Sequence, residues 1–362
     1  MPESPSIEGG VGVGLHIMAQ SIILTSGSLL IGSPIAVTVK SESGLSNATF
    51  HRVKLIVETK LSTDGDNEWQ EHPLSSPAGS GEDIEFDIST ALRSVVARYK
   101  HELATADTTY PYIMYKLKAY DEWMLNGILS ENQGVQVSPS SGNHYALMGA
   151  FTDRERYLAG TTKSVTTFTR KPLTGEVCAK GELYIYPEKP TSPLGMTSTI
   201  TAGPKVKVAT LNTAGEQTFE GRTIYVDDTA TDRMLFQFVN GFGVVETISA
   251  EMLESLDNSG ETEVDVVTAL SSFGSPRQNI VRRSNREKVY KCSSGYVNRE
   301  WAEWWVNEFL GGDAFRRSGH SQCWVFLDGN WLPCTVTPDD DIKLYDRTKP
   351  GLTQIEFEVR VL

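Results

Sequence analysis

The side chains that could catalyse hydrolysis or bind a metal are scattered along the chain. No two of the six histidines stand four residues apart, which excludes the His-Glu-x-x-His zinc motif. The serine-nucleophile pattern Gly-x-Ser-x-Gly does not occur either. His320 could act as a general base, but its position between Gly319 and Ser321 is typical of a loop residue. We therefore expect no catalytic residue, no cofactor and no enzymatic activity.

Two acidic clusters could bind a hard cation through carboxylate oxygens. One is Asp339, Asp340 and Asp341, between two predicted strands, and the other is Asp227 with Asp228. The run 64–68 is also acidic, but it lacks the ligand spacing of an EF-hand and is typical of a hairpin tip. We interpret all three as solvated loops and expect no metal site.

Glycine and cysteine patterns give no cofactor site. Residues 9–14 read GGVGVG, but no predicted strand precedes them and no helix follows, as a dinucleotide-binding loop requires. None of the four cysteines forms a Cys-x-x-Cys pair, so we expect free, buried thiols rather than a zinc site or disulfides. They are Cys178, Cys292, Cys323 and Cys334.

Composition narrows the class of partner. The formal net charge of −13 argues against sequence-independent binding to nucleic acid and against docking on an anionic membrane. No run of 18 apolar residues occurs, so no membrane-inserted helix is expected. The first basic residue is Lys40, and a secretory signal needs a basic start, so we expect no signal peptide and an intracellular site of synthesis.

The 362 residues suggest two or three domains, and period-2 alternation dominates them. Short alternating runs between Gly, Pro and Ser breakers predict a β-sandwich in the first module. A helix is predicted over 89–105, capped by Ser89 or Thr90, and a short helical insertion over 143–160. We expect a mostly β fold that becomes α+β at the C-terminal end. The predicted units are a flexible arm 1–20, a β-sandwich 21–140, a small mixed β module 141–226 and an α+β module 227–362.

A tryptophan-rich segment is the most informative feature. Five of the seven tryptophans lie between 301 and 331, and Asn298 is a plausible cap for a helix over 299–310. Trp301, Trp305 and Phe309 repeat every four residues, which predicts a stripe packed in the core. Three aromatic residues are better candidates for an interface or a glycan contact, with Trp304 and Trp331 expected to be exposed. These candidates are Trp304, Trp331 and Phe242.

Four segments in this order resemble tail-associated virion structural proteins of Bacteroidetes phages and prophages. They are MLFQFVNGFGVVETIS, CSSGYVNREWAEWWVNEFLGG, CWVFLDGNWLPCTV and IEFEVRVL, and the stretch HYALMGAFTDRERYLAGTTKSVTTFTRKP fits the same pattern. The resemblance covers about residues 140–362 and brings no catalytic motif. It implies a tail or baseplate component, made in the cytoplasm of a bacterial host and located in the virion tail. Its partners would be copies of itself in a ring and neighbouring tail proteins.

Two alternatives stay open. The first is a carbohydrate-binding or adhesion module that presents Trp304 and Trp331 to a host surface glycan. The second is an enzyme such as a glycan hydrolase acting at the cell wall, for which the sequence offers no paired motif.

Overall fold

The computed structural model describes residues 22–41, 43, 47–132, 136–137, 143–152, 155, 164–230, 232–267, 278–311, 322–338 and 351–361. For residues 25–27, 132, 136–137, 256–267 and 278–287 it describes the backbone alone. The fold is mostly β, with several sheets, a C-terminal barrel and a few short helices, which confirms the predicted fold class. Outside the described residues lie the expected arm 1–20 with its glycine-rich run, residues 153–154 and 156–160 of the predicted helix 143–160, His320 and the acidic cluster 339–341. The helix prediction is wrong for the start of its range, because His144–Ala146 form a strand that pairs with residues 113–115.

The N-terminal part of the described chain forms two antiparallel sheets around one core. The strands are β1 Ile22–Gly27, β2 Ile35–Lys40, β3 Phe50–Leu61, β4 Gln70–Pro77, β5 Asp83–Asp87, β7 Ile113–Leu125, β8 Ile128–Asn132, β9 Gln136–Val137 and β10 His144–Ala146. Strand β6, Thr108–Thr109, belongs to one of the smaller sheets described below. One sheet has the order β1-β2-β5, and the other has the order β10-β7-β3-β4 with β8 and β9 also paired to β7. Val53, Leu55 and Val57 of β3 are fully buried, as the alternation predicted.

Helix α1, Ser89–Val96, packs on this core through Leu92, Val95 and Val96. The prediction of a Ser89 or Thr90 cap is wrong. The carboxylate of Asp87, at the end of β5, accepts the hydrogen bond from the Ser89 N–H at 2.9 Å, so no hydroxyl cap forms. The helix is also shorter than predicted, because the chain turns away and the His101 Nε2 donates to the Gly243 carbonyl at 2.8 Å.

Two smaller sheets follow. Their strands are β11 Glu176–Ala179, β12 Leu183–Pro187, β13 Lys205–Thr210, β14 Gly215–Phe219 and β15 Arg222–Asp227. One sheet has the order β11-β15-β14, with β11 parallel to β15, and the other has the order β12-β13-β6. A small separate core lies here, built around Tyr184, Leu211 and Val226.

The C-terminal part closes into a barrel. Its strands are β16 Arg233–Val239, β17 Val245–Val267, β18 Gln278–Val297, β19 Cys323–Leu327, β20 Asn330–Pro338 and β21 Thr353–Val361. They are ordered β16-β17-β18-β21-β20-β19, and β19 pairs back to β16. Alternate residues such as Phe236, Val325 and Phe357 are fully buried in the barrel core. A closed sheet of this kind leaves no free edge within the barrel itself.

Two tight hairpin turns connect strands of the barrel. Asp328 and Gly329 have φ of 49° and 80° and connect β19 to β20. In the turn between β16 and β17 the positive φ falls on Gly243, at 73°. The Asn240 Oδ1 accepts from the Phe242 and Val244 N–H groups and so shapes this turn.

The tryptophan-rich helix fills one side of the barrel core. Helix α2, Arg299–Trp304, continues into π-helical turns over Trp305–Leu310, and Asn298 Oδ1 accepts from the Trp301 N–H at 3.0 Å, which confirms the predicted cap. Trp305 is 2% exposed and lies 5.0 Å from Phe309 and 5.7 Å from Phe357 between ring centroids. The prediction that the Trp301, Trp305 and Phe309 stripe is core is confirmed.

The largest core crosses the predicted module boundaries. It includes residues from Ile22 to Val245, among them Met148, Ile185 and Phe242. All three modules expected beyond residue 20 therefore contribute to one cluster of buried side chains. The boundaries near 140 and 226 stay predictions.

We expect Trp305→Ala to destabilise the chain by about 3–5 kcal/mol, because it removes a large buried ring from the barrel core. Chemical denaturation followed by circular dichroism measures the change in the free energy of unfolding. Tyr296→Ala is the matched control, since Tyr296 is 67% exposed. Equal effects of the two substitutions would contradict the packing described here.

Candidate functional site

Arg170 lies where the largest core meets the barrel core. Its guanidinium donates to Glu155 at 2.9 Å, to Glu308 of the π-helical turns at 3.0 Å and to the Ala150 carbonyl at 2.6 Å. It also lies 4.2 Å from the centre of the Phe242 ring. Three separated stretches of chain thus meet on one cation.

The charges at this junction stabilise one another. Burial alone would lower the pKa of Arg170, but the adjacent carboxylates of Glu308 and Glu155 outweigh burial and raise it. Burial opposes ionisation of Glu155, yet hydrogen bonding to Arg170 and the Arg170 charge lower the pKa of this carboxyl. The Gly241 N–H also donates to Glu308, so both carboxylates are occupied as acceptors. Their arrangement favours a structural role.

A second buried polar network lies beside the first. Lys171 Nζ donates to Glu176 and to the Thr247 carbonyl, and the Tyr184 hydroxyl donates to Glu176 at 2.9 Å. Burial raises the pKa of Glu246, which accepts from the Thr169 hydroxyl at 2.8 Å. These contacts join β11 and β12 to strand β17 of the barrel.

A cavity of about 410 Å³ opens at the Arg170 junction. Aromatic, acidic and hydroxyl side chains line it, including Phe242, Trp304, Glu155, Glu300, Glu303, Glu308, Thr166, Thr167, Thr169 and Asn307. The Trp304 indole Nε1 is buried and has no hydrogen-bond partner among the described residues. The cavity thus presents carboxylate and hydroxyl groups beside aromatic rings.

The structure brings two of the three predicted contact residues, Trp304 and Phe242, to one cavity and places the third, Trp331, elsewhere. Trp304 is 4% exposed and packs edge-on against Phe238 at 5.9 Å, so the expectation that it is exposed is wrong. Phe242 is also buried, and both residues line the cavity because the β16–β17 turn packs against α2 and its π-helical continuation. Trp331 is half-buried on β20, 5.2 Å from Phe326, a cross-strand neighbour that is 41% exposed.

A long two-stranded ribbon extends from the barrel. We define the ribbon as residues 254–267 of β17 and residues 278–288 of β18. β16 pairs with β17 only as far as Glu251, and β21 pairs with β18 only from Val289 onward. Among the strands that the structure describes, the two ribbon strands pair only with each other. Within this described part of the chain, the outer edge of each ribbon strand therefore has no strand partner.

Acidic loops and thiols give no metal site in the described ranges. Asp227 Oδ1 accepts from the Thr229 N–H and hydroxyl, at 2.8 and 2.7 Å, so this carboxylate shapes its own turn. The four cysteines are outside disulfides, as predicted; Cys178, Cys292 and Cys334 are buried, and Cys323 is half-buried. Within the described residues no group of three or more potential ligands comes together.

Sequence reasoning missed the residues at the junction. Arg170, Lys171, Glu246 and Glu308 are charged residues in ordinary polar surroundings, and such residues are usually exposed. The one usable signal was Glu308, which follows Trp305 by three residues and Trp301 by seven and so lies on the predicted buried side of the helix.

No family model matches the chain, and no curated protein matches it. In the part of the chain described by the structure, no helix is long and apolar enough to cross a membrane.

We expect Arg170→Met to destabilise the chain by about 3–5 kcal/mol, because it leaves Glu308 buried without its cation. Adding Glu308→Gln should recover part of this loss, since an amide oxygen can still accept from the Gly241 N–H. Urea denaturation measures both variants.

The matched control is Arg299→Met. The side chain of Arg299 is 76% exposed and pairs with Glu303, so its loss should cost about 0–1 kcal/mol. An Arg170 variant as stable as this control would show that the junction does not hold the two cores together.

Proposed function

We propose that the chain is a structural subunit of a phage virion, a tail or baseplate component that works through its surfaces rather than by catalysis. It assembles with copies of itself and with neighbouring tail proteins, and the ribbon is the element that joins them. The chain is made in the cytoplasm of the bacterial host and ends in the virion tail.

The ribbon carries this proposal. At about 3.4 Å per residue its 14-residue β17 strand reaches about 45 Å from the barrel. Two strands alone are marginally stable in water, and long unpaired edges are templates for further strand pairing. Single subunits usually protect such edges with short strands or covering elements. An edge of this length is explained when another chain pairs with it.

The barrel gives the ribbon a fixed base. β17 and β18 run without interruption from the barrel into the ribbon, and the aromatic core holds their barrel halves in place. A rigid base fixes the direction of the ribbon, which lowers the entropic cost of pairing with a neighbour. Interfaces of this kind can close into a ring when the rotation between subunits is suitable. The resemblance of residues 140–362 to tail-associated proteins supports the same role.

A shortened ribbon tests the proposal. Asp257 and Lys288 are paired across the ladder, so residues 258–287 can be replaced by Asn-Gly to give a two-residue hairpin. We expect the full chain to form oligomers and the shortened chain to be monomeric, as measured by sedimentation velocity. The shortened chain should keep its folded barrel, because every replaced residue lies outside it.

Near-ultraviolet circular dichroism of the tryptophan cluster serves as the folding control. A full chain that stays monomeric at every concentration would overturn the proposal. So would a shortened, folded chain that assembles as the full chain does. Absence of the protein from purified particles would overturn its place in the virion.

A glycan-binding module is the second candidate, and one observation favours it. Trp331 and Phe326 form an aromatic pair on the outer face of the β19–β20 hairpin, with Phe326 41% exposed. Aromatic faces of this kind can stack on sugar rings. Trp304 is unsuitable as a platform because rings enclose it.

On this alternative, Trp331→Ala should abolish binding to host-surface glycans on an array. Tyr296→Ala, which removes an exposed aromatic ring elsewhere on the barrel, should leave binding unchanged. Absence of binding to every glycan tested would remove this candidate.

A further inference from the structure

We propose that neighbouring copies of this chain join head to tail, with the β17 edge of one ribbon paired to the β18 edge of the next. This inference rests on the proposed function, since it names the partner that covers the ribbon. The partner is a second copy of the same chain.

The two ribbon strands differ in charge. Residues 254–267 contain five carboxylates and no basic residue: Glu254, Asp257, Glu261, Glu263 and Asp265. Residues 278–288 contain four basic residues and one acidic residue: Arg282, Arg283, Arg286, Lys288 and Glu287. The formal charges are therefore −5 on the β17 strand and +3 on the β18 strand. A chain with a net charge of −13 has concentrated basic residues on one strand.

The register sets some opposite charges at facing positions. Asp257 stands opposite Lys288, Glu263 opposite Arg283, and Glu254 opposite Lys291 in the barrel part of β18. Opposite charges at facing positions generally stabilise a strand pair. Asp265 and Arg286 instead stand opposite the uncharged residues Ile280 and Ser259.

The same pattern selects how a second ribbon can pair. In a head-to-tail arrangement each acidic strand lies between two basic strands, and each basic strand between two acidic ones. Because β17 and β18 are antiparallel in one copy, a copy in the same orientation places its β18 antiparallel to the β17 of its neighbour. A two-fold pairing would instead put β17 beside β17 or β18 beside β18, where like charges face each other and repel.

Head-to-tail contact leaves one free edge on each outer copy. Such heterologous interfaces propagate, and they end only when the rotation closes a ring. The charges chiefly choose the partner and its orientation, while backbone hydrogen bonds supply the affinity. The protein therefore needs no other component to specify the order of its copies.

The decisive experiment exchanges the polarity of the ribbon. Four acidic residues become lysine (Asp257→Lys, Glu261→Lys, Glu263→Lys and Asp265→Lys), and four basic residues become glutamate (Arg282→Glu, Arg283→Glu, Arg286→Glu and Lys288→Glu). The β17 strand then carries +3 and the β18 strand −5, while the net charge of the chain is unchanged. The facing pairs keep opposite charges, so the ribbon should fold.

We expect the exchanged chain to assemble with itself and to be excluded from wild-type oligomers. Native mass spectrometry of a mixture in which one chain carries ¹⁵N should show two separate populations after dissociation and reassembly. The control is a chain with Glu85→Arg and Glu216→Arg, two exposed positions outside the ribbon, which should mix freely with the wild type.

Three other outcomes overturn the inference. Random mixing of wild-type and exchanged chains would mean that ribbon charge does not select the partner. Preferential mixed oligomers would indicate two-fold pairing of like strands. The third outcome needs no variant. If the fraction of wild-type oligomer stays the same when the salt concentration is raised from about 0.05 M to about 0.5 M, charge does not select the partner. Each of these three outcomes leaves the proposed function standing, whereas a monomeric wild type would overturn both the proposed function and this inference.

Discussion

The buried cation of Arg170 is the interaction on which the arrangement of the described chain depends. It bridges Glu155, next to the first core, and Glu308, in the helix that fills the barrel. A buried charge is costly unless it is paired and hydrogen-bonded, and here both conditions are met. Because the partners come from distant parts of the sequence, the pairing fixes which surfaces of the two cores meet.

The hairpin turn at 240–243 shows how tightly this junction is built. Asn240 is fully buried, and its amide donates to the Phe168 carbonyl at 2.8 Å. A Cβ on Gly149 would lie 2.5 Å from the Phe242 Cα, so only glycine fits where the two stretches cross. Hairpin turns are usually exposed to solvent. This one can be buried because the Asn240 amide group and the backbone N–H groups of Phe242 and Val244 all have hydrogen-bond partners. The barrel is thereby attached to the rest of the chain at the end opposite to the strands that continue into the ribbon.

Alternation and the Asn298 cap were predictable from the sequence, because each depends on neighbours in the chain. The buried face of β3, the Asn298 cap and the Trp305 stripe all followed from local spacing. Closure of the barrel did not, since it pairs β16 with β19 across about 90 residues. The exposure of Trp304 was predicted wrongly for a related reason. Its neighbour Phe238 lies on a strand far away in sequence, and helical spacing alone cannot show that contact.

Net charge has a similar limit as a guide to partners. The value of −13 describes the whole chain, and it argued against polyanionic ligands. It could not show that an acidic strand and a mainly basic strand lie side by side in the ribbon, because that pairing of β17 with β18 appears only in the fold. A surface recognises the charges that it faces, not their sum over the molecule. A chain that is acidic overall can therefore still have a basic strand edge, which in the proposed pairing contacts the acidic strand of a second copy.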